Sequence, residues 1–460
     1  MSPFCPAYPS PRKSRVSGLM MFFSARHSWL DTLYERSYKM QMGEVHLPGL
    51  DMYMVNEPAL VRRLMTDDYA SFPKSPQLGE ALEPLLGESI FTTNGSQWQR
   101  QRKMMEPAFA QARLNVAFPV MRDATQALMD RLAAQPDGAE QDVEIEMTHV
   151  TADIIFRTIF SVPMEGADAH RVFAAFARYQ AMAPRLMLPA LFGMRWLVMP
   201  WDRWRSRRAA AEIRGLLEKL VRPRFEAHRA GTAHGSTDIL SSFLDARDAT
   251  GEPFGFDELV DQVAMLFLAG HETSASALTW ATYLVAKAPE VQERMAAEVR
   301  EQLGDRQPDY TDMKSLTLTW NVFRETLRLF PPVGFISRES TNACPMRDKQ
   351  VPAGAAIVVA PWLIHRHRSL WQRPDEFDPD RYAHDESRES LRQAYLPFGM
   401  GPRVCMGAAF ALQEAALILS TLVRNYRLEA VVGHVPMPVG RLTIRPANGV
   451  RLKLLRRGAA

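Results

Sequence analysis

One cysteine in this chain has neighbours suited to holding a metal as a thiolate. Cys405 lies in residues 398–407, Phe-Gly-Met-Gly-Pro-Arg-Val-Cys-Met-Gly, with Arg403 two positions before it and a helix-forming run, Ala408 to Leu417, directly after the segment. Glycines let backbone approach a flat ligand and accept positive φ. A helix start aims free N–H groups and partial positive charge at the sulfur. Both effects are expected to lower the thiol pKa, so that the sulfur can bind metal as an anion at neutral pH.

Three further groupings could carry chemistry. Residues 269–274, Ala-Gly-His-Glu-Thr-Ser, place a glycine, an acid and two hydroxyls in the middle of a helical pattern. Gly270 costs such a helix about 1 kcal/mol against alanine, and Thr273 and Ser274 can bond back to carbonyls one turn earlier. Poor helix design of this kind marks a site. Glu325 and Arg328 stand three apart in a helical run, with Arg381 about fifty residues later. Trp98 and Arg102 stand four apart and share a helix face.

In this order and at these spacings, the groupings resemble the cytochrome P-450 family. Phe398, Gly401, Arg403, Cys405 and Gly407 match every fixed position of its haem-ligand loop, and residues 269–274 match its oxygen-binding segment. The resemblance implies Cys405 as the axial ligand of haem b. Phe398, Gly399, Arg403 and Gly407 would contact the haem, together with Ala269 and Gly270, the glycine leaving room for dioxygen. Trp98, Arg102, Arg338 and Arg403 would bind the propionates, with His365 a weaker candidate. Thr273 would hold bound oxygen and a water, and Glu272 would relay protons from solvent. Glu325, Arg328 and Arg381 would form a buried network that supports the loop rather than catalyses. Val333, Phe335 and Ile336, with Ala269, would face a hydrophobic substrate: a fatty acid, a terpenoid or a steroid-like molecule. His271 receives no role beyond packing against a neighbouring helix.

These residues must be positioned by a mainly α fold with a small β-rich part, in one haem-containing domain over residues 30–456. A helix from about residue 257 to 288 would be roughly 48 Å long and cross the whole domain. Residues 44–53 read as two strands around Pro48-Gly49, residues 58–65 as a short helix, and residues 67–94 as a long Pro/Gly-rich loop. From Trp98 to about Arg300 the signal is mostly helical. Residues 355–360 read as a strand, and residues 441–455 as a hairpin.

Composition narrows the partners. A net charge of +3 over 460 residues gives no case for nucleic acid. Three cysteines, Cys5, Cys344 and Cys405, make no disulfide framework and suit a reducing compartment. No apolar run reaches the length of a membrane anchor. Residues 1–29, basic and acid-free, read as a disordered leader ahead of a cytoplasmic monomer, with an organelle transit peptide as the alternative. Electrons are expected from a separate ferredoxin- or flavodoxin-type protein, because no flavin or nicotinamide module follows residue 460. A basic face at Arg100, Arg102 and Lys103 could attract it. Residues 173–204, rich in Met, Leu, Phe and Trp, could cover the pocket, with Arg185 available to a carboxylate. Two other readings are a peroxide-driven peroxygenase and a non-catalytic haem sensor or ligand carrier.

Overall fold

The computed structural model describes residues 4–458 apart from 15–19, 21–23, 25–26, 48–49, 165–170, 177, 180–181, 183–198 and 233–236. Arg185 and most of the predicted pocket cover therefore lie outside the described residues. The architecture is mainly α with small sheets, as expected. Among the described residues, nine helices position the site: α1 (Pro76–Leu86), α2 (Gly95–Met105), α3 (Gln111–Ala133), α4 (Val143–Phe160), α5 (Pro200–Arg229), α6 (Phe256–Lys287), α7 (Pro289–Leu303), α8 (Thr317–Leu329) and α9 (Ala408–Asn425).

Helix α6 is the axis of the molecule. It has Asp257 and Glu258 in its first turn and Lys287 in its last, matching the helix dipole, and it stops before Pro289. Leu259 to Leu268 pack in one hydrophobic core, and Ala277 to Ala286 in another. Residues 269–274 fall between the two. Helix α4 packs along α6 and is divided in the same way, Val150 and Ile154 facing one core and Ile155 and Ile159 the other.

The main sheet has four strands: β1 (Met42–Leu47), β2 (Leu50–Val55), β4 (Ile336–Glu339) and β5 (Ala356–Val359), in the order β1-β2-β5-β4. The β1–β2 pair is the expected hairpin, with Leu47 opposite Leu50, and β2–β5 is its one parallel pairing. A three-stranded sheet joins β3 (Glu140–Asp142), β9 (Arg451–Arg456) and β6 (Tyr426–Ala430), while β7 (Pro438–Gly440) pairs with β8 (Ile444–Pro446). Residues 441–455 are thus not one hairpin: β8 and β9 pair with different partners.

Two further expectations change. The predicted loop over residues 67–94 contains α1, an eleven-residue helix. Pro76 is at its first turn, where proline is tolerated, and Leu82, Leu85 and Leu86 form its buried face. The Pro and Gly content hid a three-and-four leucine spacing. The described part of residues 1–29 is not a loose leader. Phe4 O accepts from Phe377 N at 2.8 Å, Arg12 N donates to Leu33 O at 3.0 Å, and Tyr8 lies edge-on to Trp362. Among the described residues, no helix is long and apolar enough to cross a membrane.

Candidate functional site

The loop before α9 is shaped by its glycines. Gly399 and Gly401 have φ of 74° and 71°. A Cβ on Gly401 would lie 2.0 Å from Met65 O, so only glycine fits there. Val404 N donates to Gly401 O, and Cys405 N donates to Phe398 O, both at 3.0 Å, folding the loop back on itself. Phe398 is half-buried against the core that holds Ala277 to Ala286. Gly407 has ordinary φ, and its Cβ position would lie 3.9 Å from Cys405 Sγ.

Cys405 is open to solvent, yet burial among surrounding protein pushes its thiol pKa up. That combination suits a side chain on the wall of an internal cleft. The Gly407 N–H and the Arg102 guanidinium pull the other way, but desolvation outweighs them. The expected lowering of the thiol pKa by loop and helix is therefore corrected: burial raises it in the protein alone, and a bound metal ion would favour the anionic sulfur.

Within α6, Ala269 is exposed and Gly270 and Thr273 are half-exposed, while residues 259–268 and 274–286 are all buried. This break in a buried helix faces open space between the two cores. Thr273 Oγ1 donates to Ala269 O at 2.7 Å. Gly270 also serves packing, since a Cβ there would come within 2.8 Å of Ile155 Cγ1 on α4. His271 is buried beside Phe176 and Phe267, as a packing residue.

Glu272 is not free to relay protons. Its Oε1 accepts from Thr443 Oγ1 at 2.6 Å and from Arg445 Nε at 3.1 Å, and its Oε2 accepts from Arg445 Nη2 at 2.6 Å. Burial alone would raise its pKa, but Arg445 holds it at about 2. Neither Thr443 nor Arg445 is legible as a site partner from sequence. The acid that keeps its proton is another one, Glu414 on α9. It is 2% exposed, contacts Ser274, and has no partner for Oε2 among the described residues; burial pushes its pKa up to about 8.

A cationic cluster lies by the loop. Lys74, Arg338 and Arg403 lie close together: burial and its two arginine neighbours bring Lys74 to about 6, and burial and Arg403 bring Arg338 to about 10. Arg338 Nε and Arg403 Nε are buried with no partner among the described residues. Arg403 Nη1 donates to Tyr69 O at 2.9 Å, and its guanidinium and the Lys74 ammonium lie 5.2 and 6.0 Å from the buried Trp98 ring. Three crowded basic side chains, with no carboxylate paired to them among the described residues, fit a doubly anionic group such as a pair of haem propionates, which would restore the charge of Lys74. Lys74 escaped the sequence reading because a lone lysine in a Pro/Ser-rich segment carries no spacing signal. Arg102, expected in this set, instead donates to Val404 O and to Glu106 Oε1, both at 2.7 Å.

The predicted supporting network is present. Arg328 donates to both oxygens of Glu325 at 2.8 and 2.9 Å, Arg381 Nε donates to Glu325 Oε1 at 3.3 Å, and all three are buried. It reaches the cysteine loop through His365, whose Nδ1–H donates to Arg328 O at 3.1 Å while Nε2 accepts from Leu396 N at 3.0 Å. His365 is thus a strut and not a propionate contact. Val333 is 39% exposed, and Phe335 and Ile336 are half-buried, with Phe335 edge-on to Trp29. Arg100 is paired with Asp248 and Glu258 at 2.7 and 2.8 Å, which removes it from the predicted basic docking face.

The family model described as Cytochrome P450 matches residues 10–453. Cyclooctatin synthase of Streptomyces melanosporofaciens is 32% identical over 412 residues, covering 88% of this chain and 86% of that protein. Pentalenene oxygenase of Streptomyces avermitilis is 30% identical over 416 residues, covering 90% of each. The crystal structure of the cytochrome P450DA heme domain superposes with a TM-score of 0.80 at 25% identity, covering 91% of this chain and 90% of that one.

Proposed function

The chain belongs to the cytochrome P450 family of haem monooxygenases, and from that premise we propose that it inserts one oxygen atom of dioxygen into a C–H bond of a hydrophobic small molecule. Of fatty acids, terpenoids and steroid-like compounds, terpenoids are favoured, by the likeness to cyclooctatin synthase and pentalenene oxygenase. The observation that carries the reading is the cluster of Lys74, Arg338 and Arg403 beside Trp98, close to the loop of Cys405.

The group these residues would hold is haem b, with Cys405 binding its iron and Lys74, Arg338 and Arg403 at its propionates. When bound, it supplies reductive activation of dioxygen, which thiolate ligation favours. The chain's own part is positioning and proton handling. Ala269, Val333, Phe335 and Ile336 offer apolar surface to a substrate and exclude water. The Thr273 proton is committed to Ala269 O, so its oxygen lone pairs are left to accept a hydrogen bond. Glu272 stays a carboxylate at neutral pH and fixes α6 to β8. Glu414 holds a proton next to Ser274 and is the acid here suited to give one up.

Electrons come from a separate ferredoxin- or flavodoxin-type donor. The test is turnover of a terpenoid panel under ¹⁸O₂ with such a donor and its reductase. One labelled atom in a hydroxylated product, with none formed when the donor is omitted, supports the reading. Product formed with hydrogen peroxide alone, at equal rate, would make the protein a peroxygenase. Absence of product with every substrate and donor would favour a haem-based sensor or carrier.

A further inference from the structure

A cleft of about 480 Å³ opens between α7, β6 and the end of β9. It shares no residue with the cysteine loop, the break in α6 or the cluster of Lys74, Arg338 and Arg403. Arg300, Arg427, Arg456 and Arg457 line it together with Glu429, and Leu455 is the one apolar side chain of that lining. Arg427 stands opposite Leu455 in the β6–β9 ladder, and Arg457 follows two residues later, so the three share one side of the sheet. On α7, Glu293 and Arg300 stand about two turns apart on one face.

The guanidiniums converge. Arg457 donates from Nη1 and Nη2 to the two oxygens of Glu293, each at 2.8 Å; these bonds, with the positive charges of Arg427 and Arg300 nearby, hold that carboxyl below its usual range. Arg427 is paired with Glu429. Arg456 spends Nη2 on Ala133 O and Gln135 O, at 2.7 and 2.9 Å, which leaves its charge unmatched. Arg300 makes no hydrogen bond or ion pair among the described residues. Four guanidiniums against two carboxylates leave an excess of two positive charges in one concave place. Its volume falls within the roughly 300–1,000 Å³ of small-molecule sites, but a lining with one leucine offers nothing to a hydrophobic substrate. Arginine forks present paired N–H groups to the oxygens of carboxylates and phosphates. The protein already supplies two single carboxylates here, so the remainder matches a ligand with at least two charges on closely spaced oxygens. We propose that this cleft binds a small molecule through a multiply charged phosphate group, either free pyrophosphate or the phosphate chain of a nucleotide.

The test is calorimetric titration of the haem-loaded full chain at low salt with inorganic pyrophosphate, ATP and citrate. Pyrophosphate should bind saturably at one site, and more weakly as salt rises. R300Q/R427Q changes two exposed side chains and should bind roughly tenfold more weakly, with an unchanged haem spectrum and Tm. Pyrophosphate should also protect Arg300 and Arg427 of the wild-type protein from phenylglyoxal, read by peptide mass mapping. Binding of ATP as well as pyrophosphate would assign the cleft to a nucleotide's phosphate chain, and binding of pyrophosphate without ATP to the free anion; either supports the proposal. Absence of saturable binding by both, wild-type affinity in R300Q/R427Q, no protection of Arg300 and Arg427, or citrate binding as tightly as pyrophosphate would each overturn it.

Discussion

Glu272 on α6 and Arg445 on β8 form a buried ion pair, with Arg445 donating from Nη2 to Oε2 at 2.6 Å and from Nε to Oε1 at 3.1 Å. Arg445 also donates to Glu144 Oε1 and Thr148 Oγ1 at 3.1 Å, so one guanidinium ties α6, α4 and the C-terminal strands together. The acid of the oxygen-segment motif is therefore a structural tie whose charge is already matched.

Breaking this pair from the arginine side strands a buried carboxylate. Arg445→Met should cost about 3–5 kcal/mol, measured by urea unfolding. Glu272→Gln keeps the hydrogen-bond geometry and should cost clearly less. Glu272 has its folded pKa depressed from 4.5 to about 2, so its contribution is fully present above pH 4.5 and disappears as pH falls toward 2. That acid-side loss should be absent in Glu272→Gln.

Lys74 should report haem binding as proton uptake. Without an anion its pKa is about 6, against 10.5 for an ordinary lysine. The unfolded chain then binds more protons between pH 6 and 10.5, and the haem-free protein should grow more stable as pH rises through that window. Propionates beside Lys74 should restore its charge. Calorimetry of haem binding at pH 8 in buffers of different ionisation enthalpy should show an uptake of protons that is reduced in Lys74→Met. Equal uptake in the two proteins would remove Lys74 from the propionate site.

Glu414 should carry its proton at neutral pH. Its folded pKa of about 8 lies above the ordinary 4.5, so the folded state binds the extra proton between those values, and stability falls as pH rises across them. Infrared difference spectra of wild type against Glu414→Gln should show a protonated carboxyl band at pH 6 that is lost above pH 8. A carboxylate signal at pH 6 would contradict the assignment.

Gly270 and Ile155 should show coupled effects. Alanine at 270 gains helix propensity of about 1 kcal/mol, but its Cβ would sit 2.8 Å from Ile155 Cγ1. Overpacking of this kind costs about 1–3 kcal/mol, so Gly270→Ala should destabilise. Adding Ile155→Ala should recover part of that loss, giving a favourable coupling in a double-mutant cycle of unfolding free energies.

What could be read from the chain was whatever is encoded in local spacing. The loop of Cys405, the extent of α6 and the Glu325–Arg328–Arg381 network all follow from residue types at fixed offsets, and the fold class follows from them. What was missed depends on contacts distant in sequence. Arg445 lies 173 residues from Glu272 and has no motif of its own. Glu414 reads as one more polar residue in a helix until burial shows it has lost solvent. Lys74 acquires meaning only when folding brings it to Arg338 and Arg403. Arg100 looked like a free surface cation because its acids, Asp248 and Glu258, are more than a hundred residues away.

The central claim is that Cys405 binds haem iron as a thiolate. The most direct test is the absorption spectrum of the reduced protein under carbon monoxide, for wild type and Cys405→Ser. The account requires a strongly red-shifted Soret band in wild type that is lost in Cys405→Ser while haem is still retained at the cluster of Lys74, Arg338 and Arg403. A wild-type band at the position of histidine-ligated haem, or no haem signal in folded protein reconstituted with haem, would contradict it.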